Sequence, residues 1–308
     1  MVENRKPLIS CIVCTYNREN FITHCLRSLA SQRLPKELYE IIVIDNNSSD
    51  MTEKKAEDFF YQNPECKGRI VLEKKQGLSY ARNRGVDVAQ ADILTYLDDD
   101  VLADPFLLTE VLKTFRTYPF AGCVGGKINL ELPHELPWWY SDNLSSYFSR
   151  FDLHTKSIKK ITSPAELPYG ANFSVLKNLL IDIGGFKPTL GRKGKDFGGG
   201  EELDVAYRIS AQGYDLYYNP FAIVTHFIKK ERIHLKHMFQ TTRSSAKVWV
   251  YLERELMKNN KGIKSDFKNL IKSLIKFFFY IGEYPLKKRF QYLLQVLHNY
   301  EKVKSKLF

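Results

Sequence analysis

No stretch of this chain approaches the ~20 consecutive apolar residues needed to span a bilayer. The longest candidate, Phe277-Phe278-Phe279-Tyr280-Ile281-Gly282, is far too short. Cysteine is scarce: Cys11, Cys14, Cys25, Cys66 and Cys123 are an odd number in 308 residues, which excludes a disulfide scaffold and suits a reducing compartment. Cys11 and Cys14 sit three apart in an apolar strand-like run, so they face opposite sides and cannot share a metal; they read as structural thiols. The opening Met1-Val2-Glu3-Asn4-Arg5-Lys6 leads into a short apolar stretch without a cleavage pattern, so a non-secreted protein is expected. Walker and dinucleotide glycine fingerprints are missing, as are internal repeats and low-complexity segments.

What is present is a globular composition, 44% apolar and 26% charged, which excludes a disordered or fibrous chain. The net charge of +11 is unevenly spread. Residues 229–308 hold 19 basic and 6 acidic residues, whereas 1–228 is close to neutral. The basic character therefore belongs to the C-terminal stretch.

Up to residue 130, short β-branched runs (Leu8–Cys14, Ile41–Asp45, Arg69–Leu72, Ile93–Asp98, Ala121–Ile128) alternate with helix-like segments (Glu19–Ser31, Thr52–Tyr61, Leu78–Ala89, Pro105–Arg116). That alternation indicates βαβ units and a parallel sheet covered on both faces. Ligands in such sheets bind beyond the carboxyl ends of the strands. Residues 131–168 are irregular and carry the aromatic cluster Trp138-Trp139-Tyr140, either a sugar-stacking platform or packing. A strand is expected at Tyr169–Leu176, a helix at Glu201–Gln212 stopped by Gly213, and a strand pair, Tyr214–Tyr218 and Phe221–Thr225, around Asn219-Pro220. Everything after His226 reads as helical.

Several polar groups fall at the strand ends. Asp98-Asp99-Asp100 closes an apolar run, and three adjacent carboxylates repel unless solvated or neutralised. Alternation puts Asp98 and Asp100 on one side, where two oxygen donors suit a hard divalent ion. An acidic turn capping the helix after Asp104-Pro105 is the other reading. Asp45 ends the second run and suits a base or ribose hydroxyl; Thr15-Tyr16-Asn17-Arg18 ends the first. Gly77–Gly85 opens a helix near Arg82, which either holds an anionic oxygen or is simply solvated. Glu201, Glu202 and Asp204 open a helix after Gly198-Gly199-Gly200, as dipole partners or as a general base beside a mobile loop. His226 is either a ligand or a structural histidine.

Taken in order, these segments, from about Leu8 to His226, resemble a family 2 glycosyltransferase of the GT-A type, which transfers sugar from a nucleotide-sugar donor with inversion. Val13–Arg18 matches the family's opening strand and nucleotide-contacting loop, Asp45 its second-strand carboxylate, and Gly77–Gly85 its G-x-x-x-A-R-N-x-G helix start. Asp98-Asp99-Asp100 matches the D-x-D element, Ile183–Phe186 the G-G-F segment, and Gly200–Arg208 the G-E-D-x-D-x-x-x-R stretch. Glu202 stands where the family's base is an aspartate, leaving open whether Glu201 or Glu202 serves. The resemblance implies a Rossmann-like, mostly parallel central sheet flanked by helices, with a helical C-terminal extension. It implies a catalytic domain over 1–228, nucleotide-binding to about 130 and acceptor-side beyond, followed by a basic extension over 229–308.

It also implies roles: Glu202 or Glu201 as base; Thr15, Tyr16, Arg18, Asp45, Arg82, Asp98 and Asp99 on the donor; Asp100 and His226 on Mn²⁺ or Mg²⁺; Trp138, Trp139 and Asp204 toward the acceptor, a glycan or a lipid-linked one. The 191–200 loop, with five glycines and three basic residues, is expected to close over the donor. Lys261, Lys264, Lys268, Lys272 and Lys276 recur opposite Ile263, Phe267, Leu270, Ile271, Leu274 and Phe278, with Lys287-Lys288-Arg289 beyond. An anionic membrane surface is the expected partner of 261–289, with the enzyme cytoplasmic and peripheral, unless the apolar side packs on the catalytic domain. The alternatives are a sugar-phosphate nucleotidyltransferase and a nucleic-acid binder using the basic tail. The first lacks its glycine-rich loop, and the second lacks a recognised motif, so no nucleic acid is expected.

Overall fold

The computed structural model describes residues 6–193, 198–256, 263–279 and 286–307. These form two compact units. The first takes 6–131, 149–193 and 201–227; the second takes 132–148, 198–200 and the described residues from 228 onward.

The first unit is built on a mixed sheet of nine strands among the described residues. Strands β1 (Ile9–Thr15), β2 (Tyr39–Asp45), β3 (Gly68–Leu72) and β4 (Ile93–Asp98) run parallel in the order β3-β2-β1-β4. β1 and β2 are aliphatic and buried along nearly their whole length, as strands covered on both faces must be. The intervening helices are α1 (Ile22–Ala30), α2 (Thr52–Gln62) and α3 (Leu78–Val88). α1 shows why they form: Ile22, Cys25, Leu26 and Leu29 make one buried stripe at helical spacing. Because β2 and β3 lie on one side of β1 and β4 on the other, a switch point opens between β1 and β4.

Beyond β4 come β5 (Val101–Ala103), α4 (Leu107–Thr117), β6 (Ala121–Glu131), β7 (Lys159–Lys160), β8 (Asn172–Leu176), α5 (Lys177–Asp182), α6 (Glu201–Ala211) and β9 (Asp215–Phe227). The sheet continues β4-β8-β6-β9-β5, with β7 on β9, and β8 is antiparallel to both β4 and β6. Two features differ from the sequence reading. β5 was not expected, since three residues after an acidic turn carry no periodic signal. The expected strand pair is one strand, β9, which runs through Asn219-Pro220. Pro220 is tolerated because the β6–β9 register breaks there, from Gly126↔Asn219 to Lys127↔Ile223, so its missing N–H costs no ladder bond.

In the second unit, α7 (Leu235–Tyr251) and α8 (Ile263–Phe279) both pack on α9 (Leu286–Leu307). Lys302 and Lys306 of α9 meet Glu253 and Asp266 at 2.5–3.4 Å. Residues 132–148 group with this unit: Trp139 packs on Phe290 and Phe148 stacks on His237. Among the described residues no helix is long and apolar enough to cross a membrane.

Candidate active site

Three strand ends meet at the switch point, and each ends on a polar residue: Thr15 on β1, Asp45 on β2 and Asp98 on β4. After the turn at Asp99-Asp100, β5 pairs antiparallel with β9, placing Val101 opposite His226, and the Phe227 amide donates to the Asp100 carbonyl at 2.9 Å. This pairing carries a histidine from the far end of the fold to the acidic turn. His226 Nε2 lies 3.0 Å from Asp100 Oδ1. Ligand atoms of Asp98, Asp100 and His226 all fall within 4.8 Å of one another. Two carboxylate oxygens and an imidazole nitrogen fit Mn²⁺ or Mg²⁺, and a half-exposed Asp98 leaves one side accessible.

Asp99 turns the other way. Thr15 Oγ1 donates to its Oδ2 at 2.7 Å, and Arg18 Nε lies 3.1 Å from its Oδ1. Burial pushes this carboxyl up to about 7 against the pull of Arg18. Arg18 also reaches Asp100 Oδ2 at 3.5 Å, so one guanidinium bridges two of the three aspartates. Asp98 thus stands with Asp100 and His226 in a cluster that could hold a cation, while both oxygens of Asp99 are engaged by Thr15 and Arg18. Tyr16 is exposed beside them. Asp45 is buried; its Oδ2 accepts from the Ser48 amide at 3.0 Å, while its Oδ1 is buried without a hydrogen-bond partner among the described residues. A buried acceptor left unmatched by the protein is costly unless a ligand supplies the donor.

A second group gathers at the start of α6. Arg82 Nη1 lies 2.8 Å from Glu201 Oε1 and 3.6 Å from Glu202 Oε2, and its Nη2 lies 3.9 Å from Asp98 Oδ1. The guanidinium is buried, 5.4 Å from the Phe186 ring centroid. Gly170 leaves it room, since a Cβ there would fall 2.1 Å from Arg82 Nη2. The Gly170 amide donates to Glu202 Oε1 at 3.2 Å. Burial, with Glu201 beside it, pushes the Glu202 carboxyl up to about 7 despite Arg82. A carboxylate poised there can take a proton near neutral pH.

Arg82 is not solvated: three carboxylates enclose it. The start of α3 is also occupied: the Leu78 amide donates to the Arg192 carbonyl and the Gly77 amide to Asn46 Oδ1. Asp204 is fully buried and holds Arg208, with Lys187 at 3.2 Å, while Arg208 bonds the Ile183 and Gly185 carbonyls. Through Arg208 this residue anchors the Gly184-Gly185 turn. Trp139 is buried against Phe290 and Tyr140, whereas Trp138 stays exposed at the edge of Phe290. Of the 191–200 loop, 194–197 lie outside the described residues.

Sequence reasoning missed Asn46, whose amide nitrogen donates to the Glu73 and Lys75 carbonyls and so fixes the chain entering α3. Its place beside Asp45 was the one available signal. It also missed Gly170, a lone glycine before β8 with no motif around it.

Residues 10–183 match the model of Glycosyl transferase family 2. The chain belongs to this family. It is a glycosyltransferase, with the GT-A sheet. The chain is 26% identical over 225 residues to a glucosyl-dolichyl phosphate glucuronosyltransferase of Haloferax volcanii, covering 71% of this chain and 68% of that one. Among solved structures, the mannosyltransferase PcManGT of Pyrobaculum calidifontis, in complex with GDP-Man and Mn²⁺, superposes with a TM-score of 0.64 at 17% identity, covering 97% of this chain and 88% of the other. Residues 1–349 of S. aureus TarS in complex with UDP-GlcNAc give a TM-score of 0.59 at 15% identity, covering 97% and 91%. These two establish shared fold.

Proposed function

We propose that this glycosyltransferase moves a sugar, with inversion, from a UDP- or GDP-sugar to a hydroxyl of a lipid-linked glycan in cell-surface polysaccharide or glycolipid assembly. The observation that carries the reading is the position of Arg82. One buried guanidinium lies 3.6 Å from Glu202 and 3.9 Å from Asp98, tying a proton acceptor to the cation cluster. Such convergence of chain-distant carboxylates is what sugar transfer needs: one end assists the leaving group and the other takes the proton.

The roles follow from the chemistry. Asp45, with its unmatched Oδ1, accepts a hydrogen bond from the base or ribose. Asp98, Asp100 and His226 would hold Mn²⁺ or Mg²⁺, which when bound offsets the charge developing on the departing diphosphate. Thr15 and Arg18 fix the acidic turn through Asp99. The acceptor oxygen attacks the anomeric carbon from the face opposite the diphosphate. The bond from that carbon to the phosphate oxygen breaks with its electrons on the diphosphate, and the acceptor proton passes to Glu202. We assign the base to Glu202 rather than Glu201 because Glu201 is the closer partner of Arg82, at 2.8 Å. The lipid-linked acceptor is supported by the name of the Haloferax relative, and the two donor nucleotides by the ligands of the two solved neighbours. Free thiols at all five cysteines are in keeping with work on the cytoplasmic side of a membrane.

The test is a panel of UDP- and GDP-sugars with Mn²⁺ and Mg²⁺, followed by product analysis with dolichyl-phosphate-linked acceptors. Transfer from one donor, with the anomeric configuration of the product inverted by NMR, is expected. Retained configuration, or nucleotide transfer to a sugar phosphate, contradicts the reading.

A further inference from the structure

The apolar face that the sequence gives α8 is wider than its packing uses. Asp266 and Ser273 are buried, and Leu270, Leu274 and Phe277 are half-buried beside them. Asp266 is held by Lys302 and Lys306, so this side faces α9. Phe267, Ile271, Ile275 and Phe278 lie outside it and are 44–63% exposed. At about 100° per residue these four fill an arc of about 80° along the helix. Lys264, Lys268, Lys272 and Lys276, all exposed, line the edge of that arc away from α9. Exposed aromatic and aliphatic side chains in a contiguous stripe on a helix surface mark a contact site.

We propose that α8 docks this enzyme on a leaflet containing anionic phospholipid, lying in the plane of the surface. Phe267, Ile271, Ile275 and Phe278 enter the boundary between headgroups and acyl chains, and the four lysines meet lipid phosphates. Charge decides between occupants. Two copies of the chain joined by this stripe would pair surfaces of the same positive charge, whereas a leaflet offers the opposite sign. The surplus of 19 basic over 6 acidic residues in 229–308 acts in the same direction. Lys261, expected in the same row, lies outside the described residues. The purpose of such docking rests on the lipid-linked acceptor proposed above, but the docking itself is measured without any acceptor.

The experiment is flotation of the full chain with vesicles of phosphatidylcholine alone or with added phosphatidylglycerol. Two variants are compared, Phe267→Ser/Ile271→Ser/Ile275→Ser and Lys264→Gln/Lys268→Gln/Lys272→Gln/Lys276→Gln. These positions are exposed, and unchanged thermal melting with an unchanged nucleotide-induced shift shows each variant folded and able to bind donor. The wild type is expected on anionic vesicles and not on neutral ones, with each variant weakened at least about tenfold and the wild type released by high salt. Equal binding to neutral vesicles, or variants that bind like wild type, overturns the proposal. So does a wild-type dimer, measured by light scattering without lipid, that the serine variant dissociates. If donor binding fails in the wild type while flotation succeeds, the catalytic reading fails and the docking stands.

Discussion

At the amino end of β1 and β2, Glu40 is buried yet fully engaged: Oε1 accepts from Ser10 Oγ at 2.6 Å and the Gln90 amide at 2.7 Å, and Oε2 meets Arg69 Nη1 at 2.5 Å. At the carboxyl end of the same unit the carboxylates are crowded and incompletely matched. Asp45 Oδ1 and Glu201 Oε2 are buried without hydrogen-bond partners among the described residues, and Asp99 and Glu202 are both pushed up to about 7. The same unit thus holds one buried carboxylate whose oxygens are both engaged and, at the opposite end of β1 and β2, buried carboxylates that are crowded against one another. The difference lies in saturation, since buried polar groups are ordinarily paired. An acidic residue in a strand therefore means little until its partners are counted.

The comparison breaks first at Glu202, the proposed base. Glu202→Gln is expected to lower the transfer rate about 10²–10⁴-fold while leaving donor affinity intact, measured by turnover and nucleotide titration. A loss of affinity with the rate unchanged would move Glu202 out of the chemistry. The pH profile comes next. Glu202 accepts a proton only when ionised, so kcat/KM should climb about tenfold per unit below pH 7 and level off above it. The same shift has a stability counterpart. The folded carboxyl sits at about 7 against the ordinary 4.5, so its stabilising proton is fully present below 4.5 and lost as pH rises through 7. Glu40→Gln should do the reverse of the catalytic change. It should cost about 1–3 kcal/mol in urea unfolding, since Arg69 loses its charged partner at a partly exposed site, yet leave the rate per folded molecule unaltered. Smallest is Trp138→Ala: the ring is 56% exposed, and its removal should change stability by no more than about 0.5 kcal/mol. A larger loss of transfer than of stability there would support an acceptor role for Trp138.

Much of the first unit was legible because β1, β2 and β4 are continuous apolar runs ending on polar residues, and that pattern fixes both the strands and the end where ligands bind. The alternation of Asp98 and Asp100 made two of the three clustered ligand groups legible. His226 was legible only through resemblance, because its place depends on β5, three residues long, pairing with β9. The Arg82–Glu201 pair joins positions far apart in the chain, and no local periodicity encodes it. The partners of Asp204 were hidden for a similar reason: a carboxylate in the first turn of α6 looks available, and only the fold shows Arg208 and Lys187 beside it. On α8 the lysine row was legible, but not which part of the apolar face α9 leaves uncovered.

The account depends most on Asp100. Thermal melting with UDP and with GDP, each with and without Mn²⁺, on the wild type and on Asp100→Asn, tests it directly. The wild type should gain stability from one nucleotide only when Mn²⁺ is present, and Asp100→Asn should lose that metal-dependent gain while still folding. An equal gain in the variant, or a wild-type shift indifferent to Mn²⁺, would contradict the claim that these carboxylates hold the donor through a divalent cation.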